Sequence, residues 1–246
     1  MPNPTAAMLV IGDEILSGRT RDGNMPYLAG ELAKKGIDLR EARVVPDVAG
    51  EIIAAVKQLR ARYTHVFTSG GIGPTHDDIT ADCVAAAFNA PIGIREDARA
   101  ILATNYANPE VDLNPQRLRM ARIPDGARLI ENPVSKAPGF TLGNVHVMAG
   151  VPEVFQAMVD GLLPHLLGGR PLISRTIRVE MPEGVLAGPL GEVAEAHPDV
   201  VIGCYPFQRD GVFGANVVLR SEEEAALDAA EKALHALVGD KEVPIA

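Results

Sequence analysis

The chain has 246 residues, 47% of them hydrophobic, which is enough to bury a core in one large or two unequal domains. Its net charge of -9 argues against a general nucleic-acid or anionic-membrane surface, and the lack of Trp leaves little for stacking on bases. Cys83 and Cys204 lie far apart and form neither a disulfide framework nor a metal-knuckle spacing. The first residues lack a signal-peptide pattern. We therefore expect a cytoplasmic protein without membrane or nucleic-acid partners.

Strand and helix patterns alternate through the first third of the chain. Residues 6–11 are a continuous apolar run, typical of a strand buried on both faces, and residues 37–45 and 64–68 predict two more strands. Apolar residues recur at helical spacing between them, with Asn24 as the predicted N-cap of the first helix. Right-handed crossovers turn this order into a mostly parallel sheet with helices on both faces. The sequence thus predicts a three-layer α/β/α fold.

A glycine-rich loop follows the third strand, in residues 65–80 (HVFTSGGIGPTHDDIT), and a helix is predicted to start at Asp77. Gly70, Gly71 and Gly73 let main-chain amides approach a ligand, and a helix N-terminus attracts anions. The loop is neither a Walker A motif nor GxGxxG, and a purely structural turn is the alternative. The crowding of polar residues favours a binding site; these are Thr68, Ser69, Thr75, His76, Asp77, Asp78 and Thr80.

Acidic residues follow the predicted strands. Asp77 and Asp78 would repel an anion unless a metal ion or a donor-rich ring lies between them. Asp13 and Glu14 follow the first strand and Asp47 the second. Because ligands of such sheets bind beyond the carboxyl ends of the strands, these acids should converge on the glycine loop. A solvated turn is the alternative for Asp13 and Glu14.

The next part of the chain predicts further elements around a second polar loop. Residues 131–139, with two prolines and a glycine, predict a second wall of the site. Cys83 is expected in the core rather than as a reactive thiol. The remaining predictions are a short strand at 91–94, helices at 95–106 and 116–122, a hairpin around Gly143-Asn144 and a helix from Pro152 to about Leu167. Arg117, Arg119 and Arg122 on the basic helix either meet a phosphate or, the favoured reading, form a solvated face.

The sequence Gly168-Gly169-Arg170-Pro171 marks a domain boundary, giving domains 1–168 and 171–246. The second domain has the pattern of a small α+β domain. Its predicted elements are strands at 174–180, 200–206 and 212–220, a hairpin turn at Arg209-Asp210-Gly211, and helices at 190–196 and 222–237. It carries no chemical motif, and His197 and Cys204 are expected to be packing or surface residues.

Three stretches are more specific than this general pattern: residues 12–18 (GDEILSG), the pair Asp22 and Asn24, and residues 68–80 (TSGGIGPTHDDIT). Together they resemble the N-terminal region of the CinA family of competence/damage-inducible proteins. Residues 132–133, 137–140 and 150–152 are similar to later segments of that family, so the resemblance extends over residues 6–168. The wider superfamily includes MoaB, MogA, gephyrin and part of eukaryotic FAD synthase.

The resemblance implies a three-layer fold, often oligomeric, with a pocket for molybdopterin or a nucleotide diphosphate. It implies a functional role for Asp78, and in CinA-type proteins metal-dependent cleavage of the pyrophosphate of ADP-ribose. The chain departs from the family pattern at Ser135 and Lys136, where Gly-Thr is typical, and at Ala149, where proline is usual. Lys136 would add a phosphate contact.

Our hypothesis from the sequence is a pyrophosphatase that works with Mg²⁺, Mn²⁺ or Co²⁺. Asp78, with Asp77 or Glu14, would hold the cation, and Asp47 or His76 would remove a proton from water. The predicted ligand contacts are Thr68, Ser69, Gly70, Gly71, Gly73, Thr75, Lys136, Pro138 and Gly139. The alternatives are a molybdenum-cofactor protein that binds or adenylylates molybdopterin, and a binding module without chemistry. A homodimer or homotrimer is expected.

Overall fold

The computed structural model describes residues 2–209 and 211–244, and the chain divides into two units between Gly169 and Arg170. The first unit contains eight strands, which are β1 (Thr5–Ile11), β2 (Asp38–Val45), β3 (His65–Ser69), β4 (Ile92–Ile94), β5 (Arg122–Pro124), β6 (Arg128–Ile130), β7 (Gly139–Leu142) and β8 (Val145–Met148). Six of them form one sheet in the order β2-β1-β3-β8-β7-β6, while β4 and β5 pair separately.

The described helices of this unit are α1 (Asp13–Leu16), α2 (Asn24–Lys34), α3 (Ala49–Arg62), α4 (Thr80–Phe88), α5 (Glu96–Ala103), α6 (Pro109–Asp112), α7 (Pro115–Leu118) and α8 (Pro152–Leu162). Short 3-10 turns follow α7 at Arg119–Ala121 and α8 at Leu163–His165. None of the helices in residues 2–209 and 211–244 combines the length and apolar character needed to span a bilayer.

Strand β1 is the centre of the core. Its residues alternate between two apolar clusters: Ala7, Leu9 and Ile11 pack on one face of the sheet, and Ala6, Met8 and Val10 on the other. The first cluster includes apolar side chains of α3, α4 and α5, and the second those of α2 and α8. A strand buried on both faces requires helices on both sides, so the predicted three-layer α/β/α fold is confirmed.

Parallel pairing sets the position of the site. Strand β1 pairs in parallel with β2 and β3, and β3 pairs in parallel with β8. The strands therefore end side by side at Ile11, Val45, Ser69 and Met148, and the loops that follow them share one edge of the sheet. At the other side, β7 and β6 continue the sheet in antiparallel orientation, and the predicted hairpin turn joins β7 to β8.

Several element boundaries differ from the predictions. Helix α4 starts at Thr80 rather than Asp77, because residues 76–77 form a turn and the Thr80 amide donates to Gly71 O at 2.9 Å. The predicted basic helix is broken into α7 and a 3-10 turn. Helix α8 ends at Leu162, since Pro164 lies in the 3-10 turn that follows.

Cys83 lies in the core, as predicted. It is 3% exposed on α4, and burial raises the pKa of its thiol to about 11. A thiol with so high a pKa is almost wholly protonated at neutral pH and is therefore a poor nucleophile.

The second unit is a small α+β structure. Its elements are β9 (Ile173–Val179), α9 (Glu183–Ala196), β10 (Val201–Arg209), β11 (Val212–Ser221) and α10 (Glu224–Val238), and an antiparallel sheet has the order β10-β11-β9. One core unites apolar residues of the sheet with those of both helices. Cys204 is half-buried within β10, and His197 ends α9. Asp210 of the predicted turn lies outside the described residues.

Candidate functional site

A cavity of about 560 Å³ lies beyond the carboxyl ends of the parallel strands. Its walls come from the loops after β1, β2, β3 and β8 and from the polar loop before β7. Among the described residues that line it are four carboxylates and no lysine, arginine or histidine; the carboxylates are Glu14, Asp47, Asp77 and Asp78. The sequence predicted this convergence from three separate segments of the chain.

The glycine loop forms one wall, and its first two glycines are sterically required. Gly70 and Gly71 have φ angles of 105° and 69°, in the region that favours glycine. A Cβ at Gly70 would lie 2.2 Å from Ile11 O, and one at Gly71 would lie 2.1 Å from Thr80 Oγ1. Because glycine has no Cβ, β1, the loop and α4 can pack directly against one another at these two positions.

Not every amide of this loop is free for a ligand. Gly70 N–H donates to Met148 O at 3.2 Å, so this amide is already engaged and is not available for the predicted phosphate contact. In the part of the chain that the structure describes, no acceptor bonds to the amides of Gly71, Ile72 or Gly73. These three residues line the cavity, and their amides are the candidate anion-binding groups.

Asp78 closes the loop on itself. Its Oδ2 accepts the Thr75 amide at 2.7 Å, and the Thr75 hydroxyl donates to the same oxygen. Gly73 leaves room for this carboxylate, since a Cβ there would lie 2.6 Å from Asp78 Oδ2. Arg119 Nη2 supports the loop from outside by donating to Asp78 O at 3.0 Å. Thr75, a predicted ligand contact, therefore bonds to Asp78 and does not line the cavity.

A backbone amide holds the carboxylate of Asp47 at the cavity wall. Its Oδ2 accepts the Asp13 amide at 3.0 Å. Burial raises the pKa of Asp47, and the negative charges of Asp13, Glu14 and Asp77 raise it further. The Glu14 side chain folds back over Gly12, where a Cβ would meet its carboxylate oxygens at 2.6 Å. The acids that follow β1, β2 and β3 thus share one electrostatic environment.

Besides Thr75, three further predicted site residues in or after β3 do not line the main cavity. Thr68 is fully buried within the strand, and Ser69 is 2% exposed with its Oγ bonded to Asn24 Nδ2 at 2.7 Å. The His76 side chain is 98% exposed, and its Nδ1 lies 3.8 Å from Asp77 Oδ1. His76 therefore lies outside the cavity, away from the position that a general base would need beside a ligand bound there.

The polar loop before β7 contributes different residues from those predicted. Lys136, Pro138 and Gly139 do not line the main cavity, whereas Asn132, Ser135 and Ala137 do. Gly139 is the first residue of β7, where a Cβ would lie 2.2 Å from Val147 O. Lys136 adopts φ 59°, which points to a backbone role at this position.

Two buried asparagines organise the walls, and their roles were not predicted. Asn132 donates from Nδ2 to Ser135 Oγ and Ala137 O, at 2.7 and 2.8 Å, and its Oδ1 accepts the amides of Val134 and Ser135. Asn24, predicted as an N-cap, is the first residue of α2 and donates to Ser69 Oγ and Gly150 O. Both asparagines belong to the stretches that resemble the CinA family, which was the one signal for them in the sequence.

The three arginines of the broken basic helix have separate partners. Arg119 reaches the glycine loop, as described above. Arg122 pairs with Asp82 on α4, and Arg117 lies over the Tyr106 ring and donates to Asp112 O. None of the three lines the main cavity, so a direct phosphate contact is not supported.

The acids of the cavity fit a cation site that is completed by oxygens of the bound ligand, rather than one built from protein side chains alone. In residues 2–209 and 211–244, no three His, Cys, Asp or Glu side chains are grouped closely enough to hold a metal ion by themselves. A divalent cation in a phosphate site commonly needs one or two carboxylates, with the ligand's own oxygens completing the coordination. Glu14, Asp47, Asp77 and Asp78 are the carboxylates of the cavity from which such a smaller set would be drawn.

Comparison with known proteins places this architecture. A family model described as a probable molybdopterin binding domain matches residues 7–168, and one described as the FAD synthase middle domain matches residues 171–245. A crystal structure of the protein CinA from Thermoplasma acidophilum, of unknown function, is 36% identical and has a TM-score of 0.62; the match covers 67% of this chain and 99% of that one. The chain belongs to the molybdopterin-binding domain family and is CinA-like.

Other relatives of this CinA-like chain are of different lengths. A protein of Pyrobaculum calidifontis is 33% identical, with 97% of each chain covered. A CinA-like protein of Myxococcus xanthus is 34% identical over 95% of this chain, which spans 59% of that protein. A protein of Metallosphaera sedula is 36% identical over 68% of this chain, with 65% of that protein covered.

Proposed function

We propose that the CinA-like chain binds a nucleotide diphosphate of the ADP-ribose type and hydrolyses its pyrophosphate with the help of a divalent cation. One observation carries the proposal: the amides of residues 71–73, to which no acceptor among the described residues bonds, belong to residues that line the same cavity as four carboxylates. Amide donors suit a phosphate, whereas carboxylates repel it unless a cation lies between them.

The ligand's pyrophosphate would lie against the amides of Gly71, Ile72 and Gly73. Asp78, held by Thr75, and Asp77 or Glu14 would supply carboxylate oxygens for Mg²⁺, Mn²⁺ or Co²⁺. When bound, such a cation neutralises phosphate charge and lowers the pKa of a coordinated water. The glycine loop fixes the acids and the amides relative to one another, since Asp78 is bonded within it.

Asp47 is the proposed general base. Burial and the neighbouring acids raise its pKa, which makes its carboxylate a better proton acceptor than an ordinary aspartate. The Asp13 amide orients it at 3.0 Å. Asp47 would take a proton from the attacking water as the water oxygen bonds to phosphorus and the bridging P–O bond breaks. The products from ADP-ribose are AMP and ribose 5-phosphate.

The direct test is product release from ADP-ribose with Mg²⁺, Mn²⁺, Co²⁺ or EDTA, followed by chromatography. We expect AMP and ribose 5-phosphate with at least one cation, none with EDTA, and a loss of about 100-fold in Asp47→Asn. Asp125→Asn is the matched control, because Asp125 is exposed and does not line the cavity. Absence of both products with all three cations would refute the proposed hydrolysis.

Molybdopterin binding or adenylylation is the second candidate. The family match over residues 7–168 favours it, and carboxylates can accept hydrogen bonds from the amino group of a pterin. Calorimetric titration with ADP-ribose, ATP and a pterin separates the candidates. Tight binding without turnover of any of them would identify a binding module. The expected dimer or trimer is a separate prediction, measured by sedimentation.

A further inference from the structure

The sheet of the second unit has one covered edge and one open edge. Strand β9 forms the covered edge, where the Val243 amide donates to Arg178 O at 2.9 Å. The Glu180 amide donates to Lys241 O, also at 2.9 Å, so the segment after α10 lies along β9. Strand β10 forms the other edge, and no described strand pairs with its outer side. An open edge offers a row of backbone donors and acceptors to another strand.

The bonds at β9 show which residues of β10 face outward. Arg178 and Glu180 bond away from β11, and the direction of bonding alternates along an antiparallel strand. Carried through the observed pairing of β9 with β11 and of β11 with β10, this alternation assigns the outward backbone groups of β10 to Ile202, Cys204, Pro206 and Gln208. Pro206 agrees with the assignment, because a proline is tolerated where its missing N–H would face away from the neighbouring strand.

Strand β10 lacks the charged side chains that commonly keep an exposed edge from pairing. Residues 200–208 (VVIGCYPFQ) contain no Asp, Glu, Lys or Arg, although charged residues make up 22% of the chain. On the face of the strand away from the core of this unit, Val201 is 63% exposed and Tyr205 is 49% exposed. The edge is therefore suited to a partner strand that would cover apolar surface.

The charges at the two ends of β10 favour a second copy of the same strand as that partner. Asp199 is exposed just before the strand, and Arg209 is its last residue. In an antiparallel pair the start of one strand lies beside the end of the other, so Asp199 of each copy would lie near Arg209 of the second copy. A parallel pair would instead bring like charges together at both ends. The edge is thus complementary to itself in the antiparallel orientation, as a two-fold contact requires.

We propose that two copies of this chain pair through β10, in antiparallel orientation about a two-fold axis at Tyr205, the middle residue of the strand. Ile202 then exchanges backbone bonds with Gln208 of the second copy, and the Cys204 amide donates to Pro206 O of the second copy. The two three-stranded sheets become one continuous sheet across the axis. This contact is independent of the proposed hydrolysis, which uses the cavity of the first unit.

Disulfide formation tests the pairing and its register. Tyr205 would face its own copy at a non-hydrogen-bonded position, where facing Cα atoms are about 4.5 Å apart, within the range that a disulfide spans. Under mild oxidation, Tyr205→Cys should therefore give a covalent dimer on a non-reducing gel, roughly tenfold more than wild type. The wild-type chain itself shows how far Cys83 and Cys204 crosslink.

Two single-cysteine variants are the matched controls. Val201→Cys reports the register, because Val201 is exposed on the same face as Tyr205 but would lie opposite Arg209 of the second copy. Val185→Cys, at an exposed valine of α9, reports random collision. Both controls should stay at the wild-type level. Crosslinking of Tyr205→Cys no greater than that of either control would overturn the pairing.

Hydrogen exchange of the wild-type chain supplies a measurement that needs no variant. The amides of Ile202, Cys204 and Gln208 exchange freely in an open edge, whereas pairing should slow their exchange by at least about tenfold. The Glu180 amide, bonded at the other edge, is the internal reference. Free exchange at all three amides would overturn the proposal. Slow exchange without a disulfide in Tyr205→Cys would show that a different partner covers the edge, and would also overturn it.

Discussion

Asp78 and Thr75 are bonded twice within the glycine loop, through the amide of Thr75 at 2.7 Å and through its hydroxyl. The acid that the sequence predicted as a cation ligand therefore also fixes the loop that carries the candidate anion-binding amides. Chemistry and loop geometry are linked at this residue, and its substitution should affect both.

We predict that Asp78→Ala lowers turnover of ADP-ribose by at least about 100-fold and lowers stability by about 1 kcal/mol, as loss of a capping carboxylate does. Thr75→Val keeps the amide bond and removes only the hydroxyl, so it should cost less than about tenfold in turnover. Chemical denaturation and steady-state kinetics measure the two effects. Thr104→Val, whose hydroxyl bonds to Ile101 O on α5, is the control. Unchanged turnover in Asp78→Ala would show that Asp78 has no catalytic role.

Gly71 provides a test of the tight loop. Gly71→Ala would combine φ 69° with a Cβ 2.1 Å from Thr80 Oγ1, so we expect a loss of about 2 kcal/mol in the free energy of unfolding. Gly30→Ala is the matched control, because Gly30 lies within α2 and its added Cβ meets nothing within 4 Å. That variant should gain about 0.5–1 kcal/mol. Urea denaturation of both variants measures whether their free energies of unfolding change in opposite directions.

A buried histidine pair predicts how stability depends on pH. His146 Nε2 lies 3.2 Å from His65 Nδ1, and His146 Nδ1 lies 3.0 Å from Thr141 Oγ1. Burial lowers the pKa of His146 to about 3, with the charges of His65 and Arg128 acting in the same direction, and burial also lowers the pKa of His65. An unfolded histidine titrates near 6.5, so the unfolded chain binds more protons below that pH.

The contribution of the buried histidine pair to the free energy of unfolding is therefore complete above about pH 6.5. It is lost as the pH falls toward 3, by about 1.4 kcal/mol per pH unit for each extra proton that the unfolded chain binds. Urea denaturation at pH 7, 6 and 5 measures the slope of the free energy of unfolding against pH, above the range in which most carboxylates titrate. His146→Gln should reduce the slope, and His165→Gln, at an exposed histidine in the 3-10 turn after α8, is the control. Equal slopes in wild type and His146→Gln would contradict the prediction.

Substitutions at Lys136 distinguish a role of its backbone conformation from a contact of its side chain with phosphate. Its φ of 59° is unfavourable for a residue with a Cβ, so Lys136→Gly should stabilise the chain by about 0.5–1 kcal/mol. Lys136→Ala keeps most of the strain and removes the charge. If Lys136 binds phosphate, both variants weaken ADP-ribose binding equally; if its role is confined to the backbone, neither does. Calorimetric titration and urea denaturation distinguish these results.

The sequence predicted well those features that depend on nearby residues. The apolar run of β1 identified a strand buried on both faces, and the acids after β1, β2 and β3 meet because parallel strands end at one edge. It failed where a bond joins distant segments. Asn24 bonds to Gly150, Arg119 to Asp78, and Gly70 to Met148, and no local pattern specifies these partners. The start of α4 was missed for the same reason, since Gly71 O takes the Thr80 amide.

Arg119 connects the 3-10 turn after α7 to the glycine loop. Its Nη2 donates to Asp78 O at 3.0 Å, and no acceptor in the described residues bonds to its buried Nε. Arg119→Lys keeps a positive charge and loses the planar guanidinium, so a role in positioning the loop predicts that both Arg119→Lys and Arg119→Met lower kcat for ADP-ribose about tenfold. A purely electrostatic role predicts a defect in Arg119→Met only. Arg117→Met is the control, since Arg117 lies over Tyr106 and does not bond to the loop. Kinetics of the three variants, at matched folded fractions from thermal melting, decide between positioning and charge.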